Sequence, residues 1–189
     1  MKTLENKQKV TLSYPKETQE VLVMTTGGTI EKTYDEFDGS LANRESQIKQ
    51  RILSRLRLPY TEIRVFSLMA KDSLHMTDYD RTLILKTIQG HLSKELPMVI
   101  LHGTDTMAKT ATLVHKTLKD SDTLKAPIVF TGAMKPMGFE DSDSYQNVTE
   151  ALLAVKILDP GVYISFHNKV FKLPNVRKNK EKRTFESFQ

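Results

Sequence analysis

The chain contains no cysteine, which excludes disulfides, thiolate nucleophiles and cysteine-ligated metals. No apolar run approaches the length of a bilayer-spanning helix. The first twenty residues are polar and mixed in charge, without the apolar stretch of a secretory signal. No pair of histidines stands at helical metal-ligand spacing beside an acidic residue, so no metal is expected. Internal repeats, low-complexity tracts and a dividing linker are all missing. A cytoplasmic protein is expected.

What is present describes one ordinary domain. The 189 residues are 39% hydrophobic and 27% charged, enough to bury a substantial core. The formal charge is +5 and the pI about 9.3. Basic residues are spread along the chain apart from Arg177-Lys178-Asn179-Lys180-Glu181-Lys182-Arg183. No aromatic-interleaved strand or helix-turn-helix pattern accompanies that run, so it reads mostly as a solvated tail and nucleic acid is not an expected partner. An anionic small substrate would suit the charge.

The organising stretch is Glu20-Val21-Leu22-Val23-Met24-Thr25-Thr26-Gly27-Gly28-Thr29-Ile30, a buried strand running into a tight turn. Its glycines permit positive φ and let a ligand approach the backbone without a Cβ in the way. Thr-Gly-Gly-Thr alone fits a plain turn. It lacks the Gly-Lys-Ser/Thr ending of a P-loop and the spacing of a dinucleotide fingerprint.

Further strands are expected at Glu62–Ala70, Pro97–Leu101, Pro127–Phe130 and Val162–Phe166, with amphipathic helices between them. One helix should start near Ser46, with Ile48, Ile52, Leu53 and Leu56 on one face. Another should start at Thr77 with Asp80 closing a capping box. The polar residues 31–45 read as a lid or binding loop. Val10–Tyr14 is a short strand-like patch in an extension covering residues 1–19, ahead of a single domain over 20–189. Asn168–Leu173 looks like the return of a hairpin. The fold class is α/β, a three-layer doubly wound, mostly parallel sheet of flavodoxin-like order 2-1-3-4-5 with a C-terminal hairpin.

In that order, three glycine-marked loops meet at one sheet edge: Gly27-Gly28-Thr29, His102-Gly103-Thr104-Asp105 and Thr131-Gly132-Ala133-Met134. They offer hydroxyls and a carboxylate, and a hydroxyl needs an adjacent base to act as a nucleophile. Thr104-Asp105 opens a helix, so N-capping is the competing reading of that pair.

Taken together, Thr26-Gly27-Gly28-Thr29-Ile30, His102-Gly103-Thr104-Asp105-Thr106-Met107 and Thr131-Gly132-Ala133-Met134-Lys135-Pro136 resemble the bacterial-type L-asparaginase family. The resemblance runs over nearly all of residues 20–180 and is to the amino-terminal domain. It implies hydrolysis of L-asparagine to L-aspartate and ammonia, with side activity on glutamine, without a cofactor and through a threonine acyl-enzyme. By the same resemblance Thr29 is the nucleophile, and Thr104, Asp105 and Lys178 form a second cluster. Asp105 also grips the substrate ammonium, Ser73 holds the α-carboxylate, and Gly28 and Gly103 line the substrate.

Lys178 is reached by the family's spacing from Gly161, and could act as a base or proton shuttle if Arg177, Lys180 and partial burial lower its pKa. Tyr34 is the candidate loop tyrosine that activates Thr29. Two-domain relatives continue beyond this region, so a short single-domain form working as a homodimer or homotetramer is expected. Leu74 and His75 stand where many relatives carry polar or acidic groups. A non-catalytic amino-acid-binding module, or an amidotransferase subunit of this fold, is the alternative.

Overall fold

Strand β1 (Gln19–Gly27) is apolar on both faces, and each face meets its own core. Leu22 and Met24 belong to one buried cluster, Val21 and Val23 to another. This is the burial pattern of a sheet covered on both sides, where alternate residues of a strand serve opposite layers. The computed structural model describes residues 18–189; the Val10–Tyr14 patch lies outside the described residues.

The other elements follow in chain order. A short hairpin is made by β2 (Lys32–Tyr34) and β3 (Leu41–Asn43). Then come α1 (Ile48–Arg51), β4 (Thr61–Lys71), α2 (Asp78–His91), β5 (Met98–Leu101) and α3 (Met107–Leu118). The chain continues through β6 (Pro127–Thr131), α4 (Ser144–Ile157), β7 (Gly161–Phe166) and β8 (Lys169–Lys172), and ends in the hairpin β9 (Val176–Asn179) and β10 (Thr184–Ser187).

The main sheet has the order β4-β1-β5-β6-β7-β8, parallel except for the antiparallel last strand. Read along the five parallel strands this is the expected 2-1-3-4-5, and β8 is the expected hairpin return. Helices α2 and α3 contribute Ile84, Ile88, Ala111, Val114 and Leu118 to the first cluster, which also takes Ile100, Phe130 and Ile164 from the sheet. On the other face α1 and α4 bring Ile48, Val148, Ala151, Leu152 and Val155 against Val99, Leu101 and Val129. Among the described residues no helix is long and apolar enough to cross a membrane.

Helix α2 begins as its sequence requires. The Thr77 hydroxyl accepts the Asp80 backbone N–H, and the Asp80 carboxylate accepts the Thr77 N–H at 2.6 Å.

Two expectations need correction and one gains detail. Within residues 31–45, Lys32–Tyr34 pairs with Leu41–Asn43 around a turn closed by Asp35 and Gly39, whose φ of 70° suits glycine. The helix expected from Ser46 runs only to Arg51. It breaks at Ile52 and resumes as a single 3-10 turn, Leu53–Arg55, before the chain bends through Pro59 into β4. Ile48 and Ile52 are nevertheless both buried. The basic stretch 177–183 is not a solvated tail: it contains β9 and the turn to β10, anchored by Val176 and Phe185 in the first cluster.

Candidate active site

The sheet order delivers three loops to one crevice at the carboxyl ends of β1, β5 and β6, beside the switch point where open α/β sheets bind ligands. The Thr26 hydroxyl donates to the Leu101 carbonyl at 2.8 Å, joining the first loop to the second. The His102 N–H donates to the Thr131 carbonyl at 2.9 Å, joining the second to the third. The Met137 N–H donates to the Ile30 carbonyl at 3.1 Å and closes the circuit.

The glycines are required by contact. Gly28 has φ of 84°, and a Cβ there would lie 2.3 Å from the Gly103 Cα. A Cβ on Gly132 would lie 2.3 Å from the His102 carbonyl oxygen. These distances are impossible for any other residue without moving backbone, so the loops touch main chain to main chain.

Gly28 is also held from both sides. Its N–H donates to the Lys71 carbonyl at 2.9 Å, and its carbonyl accepts Asn43 Nδ2 at 2.8 Å. Thr29 follows directly and opens the 3-10 turn Thr29–Glu31, half-buried.

Across the crevice, Lys178 Nζ donates to Thr104 Oγ1 at 2.7 Å and to Asp105 Oδ1 at 2.9 Å. Thr104 is buried, while the Lys178 and Asp105 side chains keep 18% and 30% exposure, so both remain open to solvent. N-capping does not explain the pair, because the N-cap of α3 is Thr106, whose hydroxyl donates instead to the Ser73 carbonyl at 2.9 Å.

Lys178 sits on β9, and strand alternation turns its neighbour Arg177 to the other face, where the guanidinium pairs with Glu186 at 2.9 Å. Arg177 is therefore engaged with Glu186. Ser73 is buried beside Gly103, its Oγ 2.5 Å from where a Gly103 Cβ would stand, and that Oγ has no hydrogen-bond partner among the described residues. Gly28, Gly103, Thr104, Asp105, Lys178 and Ser73 thus come together, with Thr29 next in chain to Gly28.

Tyr34 does not join them. It ends β2 at 64% exposure, and the hydroxyl lies over the hairpin's own turn, near Gly39. Leu74 is exposed, and His75 closes the 3-10 turn that carries Ser73.

Three supporting residues escaped the sequence reading. His102 is fully buried. Its Nδ1–H donates to the Gly103 carbonyl at 2.8 Å, so its Nε2 accepts the Thr110 hydroxyl at 2.9 Å. Burial pushes its pKa down to about 4, outweighing the Gly103 bond, and the ring is neutral. Asp143, at the start of α4, accepts the Met134 and Lys135 N–H groups at 3.0 Å and binds His167 Nε2 at 2.9 Å, which fixes the third loop. Burial alone would raise its pKa, but those N–H groups and the imidazole hold it below the ordinary carboxylate value. Glu31 is buried behind the first loop, where its Oε2 accepts the Gly27 N–H at 2.9 Å. A lone carboxylate two residues after the Gly-Gly-Thr turn was the only available signal for Glu31.

Fold and crevice define a doubly wound α/β domain whose ligand site carries a buried hydroxyl bridged by lysine to a carboxylate. Residues 20–189 match the family described as Asparaginase, N-terminal. The chain belongs to the asparaginase family through that domain.

Relatives include the mouse 60 kDa lysophospholipase, 36% identical over 102 residues covering 53% of this chain and 18% of that protein. L-asparaginase 1 of Escherichia coli K12 is 30% identical over 158 residues, 80% of this chain and 45% of the relative. The crystal structure of L-asparaginase I from Vibrio cholerae superposes with a TM-score of 0.77 at 26% identity, over 90% of this chain and 51% of that one. The chain spans about half the length of these two asparaginases, and less of the lysophospholipase.

Proposed function

We propose that this domain hydrolyses the side-chain amide of L-asparagine to L-aspartate and ammonia, with side activity on L-glutamine. The observation that carries the reading is the Lys178 bridge between Thr104 Oγ1 and Asp105 Oδ1, set opposite the glycine turn that ends in Thr29. Thr29 Oγ attacks the amide carbon, and its proton passes to the leaving nitrogen. The C–N bond breaks, ammonia departs, and an ester to Thr29 remains. Water, held by Thr104 and Lys178, adds to that ester; its C–O bond breaks, and Thr29 regains a proton as aspartate leaves. Backbone N–H groups at the converging loops stabilise the oxyanion in both steps. Asp105 takes the substrate ammonium, and Ser73 Oγ, which has no partner among the described residues, takes the α-carboxylate.

The reading includes a cytoplasmic homodimer or homotetramer built on the α/β domain of residues 20–189, with the crevice closed by a second copy. Tyr34 belongs to it through closure of the Lys32–Asn43 hairpin over Thr29. Ammonia release from L-asparagine, L-glutamine and D-asparagine tests the proposal beside Thr29→Ala and Lys178→Ala. Each variant should lose roughly a thousandfold or more in kcat while remaining folded. Undiminished turnover in Thr29→Ala would remove the nucleophile. No release by a folded wild-type protein that still binds L-aspartate would leave an amino-acid-binding module.

A further inference from the structure

We propose that Glu31 is a positioning residue for Thr29. Its enclosed carboxylate holds the Gly27 amide, and with it the turn that presents the Thr29 hydroxyl, at a cost in stability to the fold. The inference rests on the reading of Thr29 as nucleophile and adds a residue that this reading does not use.

The geometry is local and closed. Glu31 ends the 3-10 turn Thr29–Glu31, is 2% exposed, and returns its side chain across that turn to the N–H of Gly27, a residue with φ of 91°. The neighbouring peptide is fixed from outside the turn, by the Lys71 carbonyl and by Asn43 Nδ2. Gly27 itself has no room to be held by a side chain of its own, since a Cβ there would lie 2.3 Å from the Lys71 nitrogen. Glu31 is thus the side-chain contact that governs the peptide entering the glycine pair.

The site suits a functional rather than a stabilising group. The second carboxylate oxygen, Oε1, is buried with no hydrogen-bond partner among the described residues. Burial pushes the Glu31 pKa up, against the Ser46 hydroxyl, the Gly27 N–H and the Thr25 hydroxyl, which pull it down. Among the described residues no cation is a cause of that shift. An enclosed carboxylate with no countercharge among the described residues, supported only by one N–H and neighbouring hydroxyls, destabilises the fold once ionised, and packing alone would not select it. Because the folded pKa lies above the unfolded one, this group's contribution is favourable below the unfolded value and is lost as pH rises through the folded value.

Glu31→Gln and wild type should be compared by the amide resonances of Gly27 and Thr29, by thermal unfolding and by turnover. In the wild type the Gly27 amide should titrate with a midpoint above the ordinary carboxylate value, and in Glu31→Gln that titration should vanish. The variant should melt at the same or higher temperature at pH 7, with the difference shrinking toward pH 4. In Glu31→Ala, which removes the acceptor of the Gly27 N–H, kcat should fall roughly ten- to a hundredfold with KM changed far less, whereas Glu31→Gln, whose amide oxygen can still accept that bond, should keep more of it. A merely structural carboxylate would instead lower the melting temperature and leave kcat alone. A Gly27 amide that ignores pH in the wild type, or a folded Glu31→Ala with wild-type kcat, would overturn the proposal. Should the wild type release no ammonia, the amidohydrolase reading fails separately, and the Gly27 and Thr29 resonances still decide whether Glu31 sets the turn.

Discussion

At the scale of single residues, the polar groups behind the site matter as much as those in it. His102 shows this, because its neutral ring links the Gly103 carbonyl to the Thr110 hydroxyl inside the core. Its folded pKa of about 4 lies below the ordinary 6.5. An unfolded chain therefore takes up a proton as pH falls through 6.5, while the folded chain does not until about 4. Stability from this group is complete above pH 6.5 and declines by about 3 kcal/mol on acidification to pH 4. Urea unfolding at a series of pH values should show that decline in the wild type and a shallower one in His102→Gln. Equal slopes would mean that His102 is not the group responsible. The sequence showed His102 only as a letter in a glycine-marked motif. Nothing in its spacing said that Thr110, in the first turn of α3, would supply the partner.

At the scale of elements, what could be read in advance was whatever depends on near neighbours in the chain. The five parallel strands, the capping box at Thr77 and Asp80, and the glycine turns all follow from local pattern, and all are present. The β9–β10 hairpin did not follow. Its alternation is hidden among lysines and arginines, and it is stabilised by remote packing: Phe185 stacks edge-on against Phe166 at 5.0 Å, and Val176 joins the same cluster. That packing places Lys178, directly paired with Phe185 across the strands, over Thr104. Phe185→Ala should cost about 3–5 kcal/mol, a large share of a typical domain's stability. The milder Phe185→Leu is the better probe. Hydrogen-exchange protection should fall across Val176–Asn179 while Met98–Leu101 keep theirs, and turnover should fall with the loosened hairpin. Uniform loss of protection would show instead that the hairpin unfolds only with the whole sheet.

At the scale of the whole molecule, the site is a seam between parts distant in sequence, so a ligand should be felt by the entire fold. The crevice joins loops after β1, β5 and β6 to Lys178 near the chain's end, a separation of 74 residues between Lys178 and Thr104 alone. A small acid that bridges Asp105, Ser73 and the Thr29 turn binds only the folded chain and stabilises it by mass action. At a concentration a hundred times its dissociation constant, L-aspartate should add about 2.7 kcal/mol. For a domain of this length that raises the melting temperature by about 5–10 °C. Thr29→Ala should keep most of the shift, because its proposed role is in bond making rather than in holding the α-carboxylate. Ser73→Ala should lose most of it, since the buried Ser73 Oγ has no other partner among the described residues beside Gly103. A shift that survives in Ser73→Ala would move the carboxylate site elsewhere in the crevice. No shift in any form would mean that the seam does not recognise an amino acid, and the hydrolase reading would fall with it.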